Sequence, residues 1–466
     1  MKKIIFLLAL AFVSLTSCTK KDKIVKPIFV TPTVLQPDPD PVAFGTPFAG
    51  VPATKDVAMY EVNMRAFSAE GTFKGVQARL DSIKALGINV VWLMPIHPIG
   101  VLKNAGQLGS PYSIKDFKAV NSEHGTLEDL QNLVIEAHNR NMSVIIDWVA
   151  NHTAWDNAWV TTHPEWYSKD VAGNIIIPAG TNWNDVADLD YSNPIMRTFM
   201  ISAMKYWVLK ANIDGFRCDH ADGVPVDFWK QATDSLKKLP NRKYIMLAEG
   251  ASASLFNAGF SMNYGWDFYG QILKVYKNSL ATSSLATTHN AEYAAIPAGS
   301  HKLRFTTNHD ESAWADTPIN LFNGQAGALS AFVLTTYMGG VPLLFSGQEV
   351  GRPDKTPFFT KSPINWSLNP NTLAEYKRIM TFRQSSNAVK EGTLTAINDA
   401  ANVIVFKRSF QTEEVLVLVN TKNTVSNYTL AASVANTNWT NALDGKAVSL
   451  TTSVSLQPYQ YMILKK

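Results

Sequence analysis

The chain has 466 residues, of which 46% are hydrophobic and 17% charged, and its formal net charge is only +4. This length and composition are typical of a globular protein with one large domain and a smaller accessory domain. Lysine and arginine are scattered and form no basic stripe, which argues against a nucleic-acid-binding protein. We therefore expect no nucleic-acid partner, and we expect the chain to act as a monomer.

The N-terminus carries the pattern of a secretory signal. Lys2 and Lys3 precede an apolar run over residues 4–15, which is too short to span a bilayer. Small residues follow, directly before Cys18, as at the site where bacterial lipoproteins are processed. An ordinary signal peptide that contains a cysteine is the alternative. We predict a lipoprotein signal peptide over residues 1–17 and a lipid on Cys18, so the protein is expected to be membrane-anchored, periplasmic or at the cell surface, on the outer membrane.

Residues 18–52 are rich in Lys, Pro, Val and Thr, which predicts an extended tether between the membrane and the folded part of the chain. The only other cysteine is Cys218. It has no useful pairing with a lipidated Cys18, so no disulfide framework is expected.

From residue 57 onward, short apolar runs alternate with amphipathic stretches, which predicts repeated β-α units. Eight strands are expected, over residues 57–64, 90–95, 144–147, 215–219, 244–249, 260–264, 303–308 and 343–346. Six of the expected helices cover residues 75–86, 126–141, 194–211, 226–239, 326–337 and 373–385. This pattern predicts a (β/α)8 TIM barrel over residues 53–387. A doubly wound sheet is the competing architecture, but a glycine-rich loop does not follow the first strand.

Two regions depart from the β-α alternation. The connection over residues 152–192 is long and rich in Trp, Asn, Asp and Pro, which predicts a small inserted domain over the barrel mouth. Past about residue 388 helical periodicity ends and short alternating runs begin, over residues 403–408, 415–419, 426–430 and 459–464. These runs predict a C-terminal antiparallel β-sandwich over residues 388–466.

Three carboxylates end predicted strands. Arg217 and Asp219 are two positions apart, so their side chains point to the same side of the strand. The arginine favours the ionised carboxylate, and an ionised aspartate can act as a nucleophile at carbon. Glu249 and Asp310 each end a further apolar run. Three acids at the C-terminal ends of barrel strands indicate a glycosidase.

Six short segments, in order along residues 57–385, resemble those of the α-amylase family, glycoside hydrolase family 13. The segments are DWVANH at 147–152, VADLD at 186–190, GFRCD at 215–219, LAEG at 247–250, TNHD at 307–310 and GVPLLFSGQE at 340–349. One short match can arise by chance, but six in the right order are a specific signal.

The resemblance implies a role for each acid. Asp219 corresponds to the nucleophile, Glu249 to the general acid/base, and Asp310 to the third acid, which grips sugar hydroxyls. Cleavage with retention is implied, and it requires the first two carboxyl groups to lie roughly 5–5.5 Å apart.

The resemblance also implies residues that bind the sugar. Tyr112 matches the aromatic platform below it, and His152 and His309 are expected to hydrogen-bond its hydroxyls. Arg217 accompanies the nucleophile, and Asp147 is expected to support Arg217 without touching substrate.

Calcium is the one cofactor implied. In many family members the residues that correspond to Asn151 and Asp188 bind a structural calcium, and oxygen ligands suit that ion. The family often has Lys-His three and four residues after the nucleophile, where this chain has Asp222 and Gly223. A backbone carbonyl remains available there, but the lysine contact to the sugar is lost. Loop anchors without metal are the alternative.

Together these features predict a retaining hydrolase that cleaves α-1,4 bonds of starch or maltodextrin. One alternative keeps the fold and changes the reaction, to a transglycosylase, a cyclodextrin-cleaving enzyme or a debranching enzyme. Another alternative is a non-catalytic starch-binding surface lipoprotein, which the presence of all three acids disfavours. Product analysis on amylose, pullulan and cyclodextrins separates these possibilities.

Overall fold

Eight parallel strands close into a barrel, as the sequence predicted. This computed structural model describes residues 35–277, 279–397 and 402–466, so the predicted signal peptide and Cys18 lie outside the described residues. The first ten strands, in chain order, are β1 (Met59–Val62), β2 (Val90–Leu93), β3 (Ser143–Trp148), β4 (His152–Ala154), β5 (Val186–Asp188), β6 (Gly215–Cys218), β7 (Ile245–Ala248), β8 (Met262–Tyr264), β9 (His301–Arg304) and β10 (Val341–Phe345). The barrel order is β1-β2-β3-β6-β7-β8-β9-β10, with β10 pairing back to β1.

Helices surround the barrel and cover its strands, which are buried almost throughout. Each predicted barrel strand overlaps an observed one, which confirms the (β/α)8 architecture. The helices, in chain order, are α1 (Met64–Phe67), α2 (Phe73–Gln77), α3 (Leu80–Lys84), α4 (Leu127–Asn139), α5 (Ala158–Thr162), α6 (Pro194–Lys210), α7 (Val226–Lys237), α8 (Ser254–Asn257), α9 (Trp266–Tyr276), α10 (Ser283–Ala294), α11 (Pro318–Leu321), α12 (Gln325–Tyr337), α13 (Pro370–Ser385) and α14 (Asn387–Glu391).

The strand pair β4 and β5 forms the base of an inserted segment over residues 152–192. The two strands are antiparallel, and His152 pairs with Asp188. Trp166 is buried in this segment, where its ring contacts those of His163 and Phe199. Trp155, Trp159 and Trp166 therefore pack with the barrel core, whereas Trp183 lines the cleft.

The strands of the C-terminal region pair in antiparallel fashion. Its strands are β11 (Thr393–Ala396), β12 (Val403–Phe410), β13 (Glu413–Asn420), β14 (Ser426–Thr429), β15 (Thr437–Asn441), β16 (Ala447–Leu450), β17 (Ser453–Leu456) and β18 (Tyr461–Lys465). Six form one sheet, in the order β11-β12-β13-β18-β15-β16, and β14 pairs with β17.

Successive side chains of β13 point to opposite faces of the sheet, and both faces are buried. Val415 and Val417 belong to the core shared with the barrel, whereas Leu416 and Leu418 belong to a second core with Tyr428 of β14. One face of the sheet therefore packs on the barrel, and the other packs against the β14–β17 pair.

The last part of the predicted tether packs on the barrel. The N–H of Phe44 donates to the carbonyl of Leu209 at 2.7 Å, and Phe48 stacks on His138 with ring centroids 4.3 Å apart. Val51 is buried. These apolar side chains join the globular unit, so an extended tether ends before residue 44. Within the described part of the chain, none of the helices has the length and apolar character needed to cross a membrane.

Candidate active site

A cleft of about 710 Å³ opens at the C-terminal ends of the barrel strands. Asp219 directly follows β6, Glu249 directly follows β7, and Asp310 lies in the connection after β9. The cleft is lined by acidic, imidazole and aromatic side chains, which include Tyr112, His152, Trp183, Asp219, His220, Glu249, His309, Asp310, Trp314 and Phe358. The structure therefore brings the three predicted acids together with the predicted sugar-binding side chains.

Arg217 holds the acidic cluster together. Its Nη1 donates to Oδ1 of Asp147 and to Oδ1 of Asp219, each at 2.8 Å, and its Nη2 forms an ion pair with Oε1 of Glu249 at 2.9 Å. The register of β3, β6 and β7 places Asp147, Arg217 and Leu247 side by side. Burial acts to lower the pKa of Arg217, but the surrounding carboxylates hold it well above its usual value.

Asp219 and Glu249 share this one guanidinium group, so they form a close pair. Asp219 is fixed by its backbone N–H, which donates to the carbonyl of Trp148 at 2.9 Å, and its side chain is 12% exposed. Glu249 is 17% exposed, and its Oε2 accepts the backbone N–H of His220 at 2.7 Å. Two neighbouring, partly exposed carboxylates are the arrangement that a retaining glycosidase uses.

A series of buried hydrogen bonds supports the side of the cleft that carries Tyr112 and His309. Oε1 of Glu61, on β1, lies 2.5 Å from Nδ1 of His309, and Nε2 of His309 lies 2.7 Å from the hydroxyl of Tyr112. That hydroxyl donates to Oδ2 of Asp147 at 3.0 Å. The rings of Tyr112 and His309 stack at 5.3 Å, and Nε2 of His309 also lies 3.3 Å from Oδ2 of Asp310. This series of contacts therefore fixes the predicted platform and the third acid as one unit.

The acids around His309 favour its protonated form. Burial acts to lower the pKa of His309, but the charges of Asp310 and Glu61 outweigh it and raise the pKa to about 9. Burial also raises the pKa of Glu61, with His309 opposing the shift. Burial raises the pKa of Asp147 as well, although Arg217 opposes it. With Nε2 protonated, His309 donates to Tyr112, which leaves the tyrosine hydroxyl proton for Asp147.

A pH dependence of stability follows from the His309–Glu61 pair. Folded His309 keeps its proton up to about pH 9, whereas the unfolded chain releases it near pH 6.5, so stability is fully present below pH 6.5 and is lost towards pH 9. The expected decrease in the free energy of unfolding is roughly 3 kcal/mol at most. Urea unfolding across this range measures it.

The matched control for this titration is Glu61→Gln, which removes the charge and keeps the shape. The variant should show a flatter pH dependence between pH 6.5 and 9, because His309 then loses one of the two charges that raise its pKa. An unchanged slope in Glu61→Gln would show that the pair does not set the titration.

His152 lies on β4, on the other side of the cleft. Burial lowers its pKa to about 3, so the imidazole is neutral near pH 7. Its Nδ1 lies 3.3 Å from Nδ2 of Asn151, and its ring makes an edge contact with Trp183 at 5.5 Å. A neutral imidazole that lines the cleft can hydrogen-bond a sugar hydroxyl, as the sequence predicted.

The predicted calcium ligands lie near each other at the base of the inserted segment. Asp188 pairs with His152 in the β4–β5 ladder, and the carbonyl of Asn151 accepts the N–H of Leu189 at 3.2 Å. Burial raises the pKa of Asp188. Among the described residues, no cluster of three or more His, Cys, Asp or Glu side chains could hold a metal ion.

Asn151 and Asp188 supply only part of the set of ligands that a calcium ion requires. Calcium takes six to eight oxygen ligands. Asn151 and Asp188 supply side-chain oxygens, so the remaining ligands would have to be backbone carbonyls and water. A Cβ built on Gly223 would lie 2.4 Å from Nε2 of His220 and 3.0 Å from Oδ1 of Asn151, so the imidazole and the amide oxygen both face the space beside that glycine.

Several residues of the site carry no clear signal in the sequence. Glu61 interrupts the apolar strand β1, and a buried acid there is the one hint that it bonds a partner. His220 directly follows the nucleophile position, but its left-handed backbone, with φ of 42°, is visible only in the structure. Trp314 lies in a π-helical turn after Asp310 and is 60% exposed.

Three carboxylates around a cleft at the C-terminal end of a (β/α)8 barrel define the site of a barrel glycoside hydrolase. A family model described as the α-amylase catalytic domain matches residues 40–172 and 180–392. This chain belongs to the α-amylase family.

Individual relatives agree with this assignment. α-Amylase MalA of Haloarcula japonica is 26% identical over 350 residues, which cover 72% of this chain and 49% of that protein. This chain thus spans about half the length of that relative. α-Amylase 3 of Dictyoglomus thermophilum is 23% identical over 446 residues, which cover 79% of this chain and 85% of its own length.

The fold is shared with solved structures over nearly their whole length. The maltogenic α-amylase AmyB of Thermotoga neapolitana superposes with a TM-score of 0.80 and 28% identity, covering 89% of this chain and 99% of its own. An α-amylase of Lactobacillus plantarum gives the same TM-score and identity, over 88% of this chain and 99% of its own. The barrel and the C-terminal sheet are therefore both common to these proteins.

Proposed function

We propose that this protein hydrolyses α-1,4 bonds of starch or maltodextrin with retention of the anomeric configuration. One observation carries the proposal. Arg217 binds Asp219 and Glu249 through one guanidinium, beside a stacked Tyr112–His309 pair that can support a sugar ring. The two carboxylates line the same cleft, which supports the roles of nucleophile and proton donor proposed for them.

The first half of the reaction joins the sugar to the enzyme. The carboxylate of Asp219 attacks C1 of the sugar while the glycosidic bond breaks, and Glu249 gives its proton to the leaving oxygen. Arg217 stabilises Asp219 as an anion before the attack. His309, tied to Glu61, holds Tyr112 and faces Asp310, so the platform and the third acid keep the ring in place.

The second half of the reaction releases the sugar from the enzyme. Glu249, now ionised, takes a proton from a water molecule, which attacks C1 and restores the carboxylate of Asp219. The products are two glucan chains, and the new reducing end keeps the α configuration. No net oxidation or reduction occurs.

The substrate class is tested by chromatography of the products from soluble starch, pullulan and cyclodextrins. We expect maltose and longer maltodextrins from starch, with slower or no release from the other two. Preferential attack on cyclodextrins or on pullulan would replace α-1,4 starch hydrolysis by another specificity of this family. Products longer than the starting oligosaccharide would indicate transglycosylation.

We also propose that the enzyme is held to a membrane by a lipid on Cys18, in the periplasm or at the cell surface. The support is the charged start, the short apolar run and the small residues before that cysteine. The compact unit that contains the barrel begins at Pro37, and Cys18 precedes it by 19 positions in the sequence.

Cys18→Ser is expected to release an active enzyme from the membrane fraction into the soluble fraction, because the described residues that line the cleft all lie between Ala105 and Phe359. The measurement is amylase activity in membrane and soluble fractions after centrifugation. Cys218→Ser is the matched control and should leave the distribution unchanged, since Cys218 is buried in β6. A wild-type protein found wholly in the soluble fraction would contradict the anchor.

Calcium between Asn151 and Asp188 stays a prediction. If the ion binds the folded protein, excess chelator should lower the melting temperature, and added calcium should restore it by mass action. Asn151→Ala should then show the lower melting temperature without chelator and no further response to it. An unchanged melting curve in chelator, with no calcium in the purified protein, would contradict the prediction.

A further inference from the structure

His220 connects Glu249 to the inserted segment. It directly follows Asp219, and its backbone is left-handed, with φ of 42°. A residue with a Cβ pays a conformational cost there, and such backbones persist only where the surroundings hold them. In this conformation its N–H donates to Oε2 of Glu249 at 2.7 Å.

The imidazole of His220 is held on two sides. Its ring makes an edge contact with Trp183 of the inserted segment, with centroids 5.3 Å apart and planes at 80°. A Cβ placed on Gly223 would lie 2.4 Å from Nε2 of His220 and 2.3 Å from its Cδ2, so the ring fills the space that a side chain at position 223 would need. Oδ1 of Asn151 lies 3.0 Å from the same point.

We propose that His220 is a positioning residue for Glu249. Trp183 and the glycine at 223 hold the ring, the held ring stabilises the left-handed backbone, and that backbone aims the N–H at Glu249. The inserted segment thereby influences the proton donor through His220. The inference rests on the proposed acid role of Glu249, and it adds a residue that has no part in the chemistry itself.

A purely structural role for His220 makes a different prediction from a positioning role. Loss of folded protein lowers the rates on all substrates by one factor. A misplaced proton donor slows substrates with poor leaving groups most, because a good leaving group departs with little protonation. The ratio of kcat on maltotetraose to kcat on α-maltosyl fluoride therefore separates the two roles.

The test compares two substitutions at position 220. His220→Val has a β-branched residue that disfavours the left-handed backbone, whereas His220→Asn has one of the side chains that tolerate it best. We expect the Val variant to lose about tenfold or more in the maltotetraose-to-fluoride ratio, on the scale of general-acid effects. The Asn variant tolerates the left-handed backbone but lacks the ring that Trp183 and Gly223 hold, so its ratio should fall clearly less than that of the Val variant.

Gly223→Ala approaches the same question without altering His220. The new methyl group would collide with the imidazole, so the ratio should change in the same direction as in the Val variant, by a smaller factor. This variant decides the matter if His220→Val does not fold. An unchanged ratio in every folded variant, or an equal fall in Val and Asn, would overturn the proposal.

Glu249→Gln measured alongside separates this inference from the proposed function. If Glu249→Gln changes the ratio and the variants at 220 and 223 do not, only the positioning role is wrong. If Glu249→Gln leaves the ratio unchanged, Glu249 is not the acid, and both proposals are wrong.

Discussion

Asp219→Asn is expected to abolish starch hydrolysis, with a fall in kcat on the order of 10⁴-fold or more, the scale seen when groups of the covalent step are removed. An amide of the same shape has no charge with which to attack C1. The fold should persist, because Arg217 keeps its contacts to Asp147 and Glu249. Reducing-sugar release from soluble starch measures the loss.

The matched control for this prediction is Asp234→Asn. Asp234 is an exposed residue of α7 that pairs with Lys230, far from the strand ends that form the cleft. Exposed pairs of this kind contribute little to stability, so the rate should stay near that of the wild type. An Asp219→Asn enzyme that keeps a tenth or more of the wild-type kcat would exclude Asp219 as the nucleophile.

Glu249→Gln is expected to lower kcat on starch by roughly 10²–10⁴-fold, the usual contribution of general acid catalysis. The amide cannot protonate the leaving oxygen, so the loss should be much smaller for bond cleavage in an aryl α-maltoside with an acidic phenol. Glu136→Gln, at a half-buried position of α4 that does not line the cleft, is the control and should behave as the wild type.

Rescue by azide provides a second and more specific test of Glu249 as the acid and base. An anion needs no base to attack C1, so azide should accelerate turnover of the aryl maltoside by Glu249→Gln and yield an α-glycosyl azide. Wild-type turnover should respond little, because its Glu249 already activates water. Equal losses on starch and on the aryl substrate, without azide rescue, would remove Glu249 from the role of acid and base.

The sequence predicted the barrel well because parallel buried strands are continuous apolar runs. The sequence predicted less well those helices and strands whose formation depends on packing against the rest of the chain. The stretch predicted as one helix over residues 75–86 folds as α2 and α3, and α10 was missed because its small and polar residues form no apolar stripe. Strands β15, β16 and β17, rich in Asn, Thr and Ser, were missed for the same reason.

The candidate site, like the fold, could be predicted from the sequence only in part. Asp219, Glu249 and Asp310 could be predicted because each lies in a short segment with a recognisable pattern and ends an apolar run. Glu61 and His220 could not be assigned, because their roles depend on neighbours distant in sequence or on a backbone angle. Local patterns thus predict which three acids line the cleft, whereas the contacts of Glu61 and His220 become visible only in the folded structure.

The anomeric form of the first product tests the central claim most directly. Maltopentaose is mixed with enzyme, and the anomeric protons of the new reducing ends are followed by NMR before mutarotation equilibrates them. Two successive displacements at C1, by Asp219 and then by water, predict that the α-anomer appears first. Initial release of the β-anomer would contradict the double displacement and the pairing of Asp219 with Glu249 on which the proposed function rests.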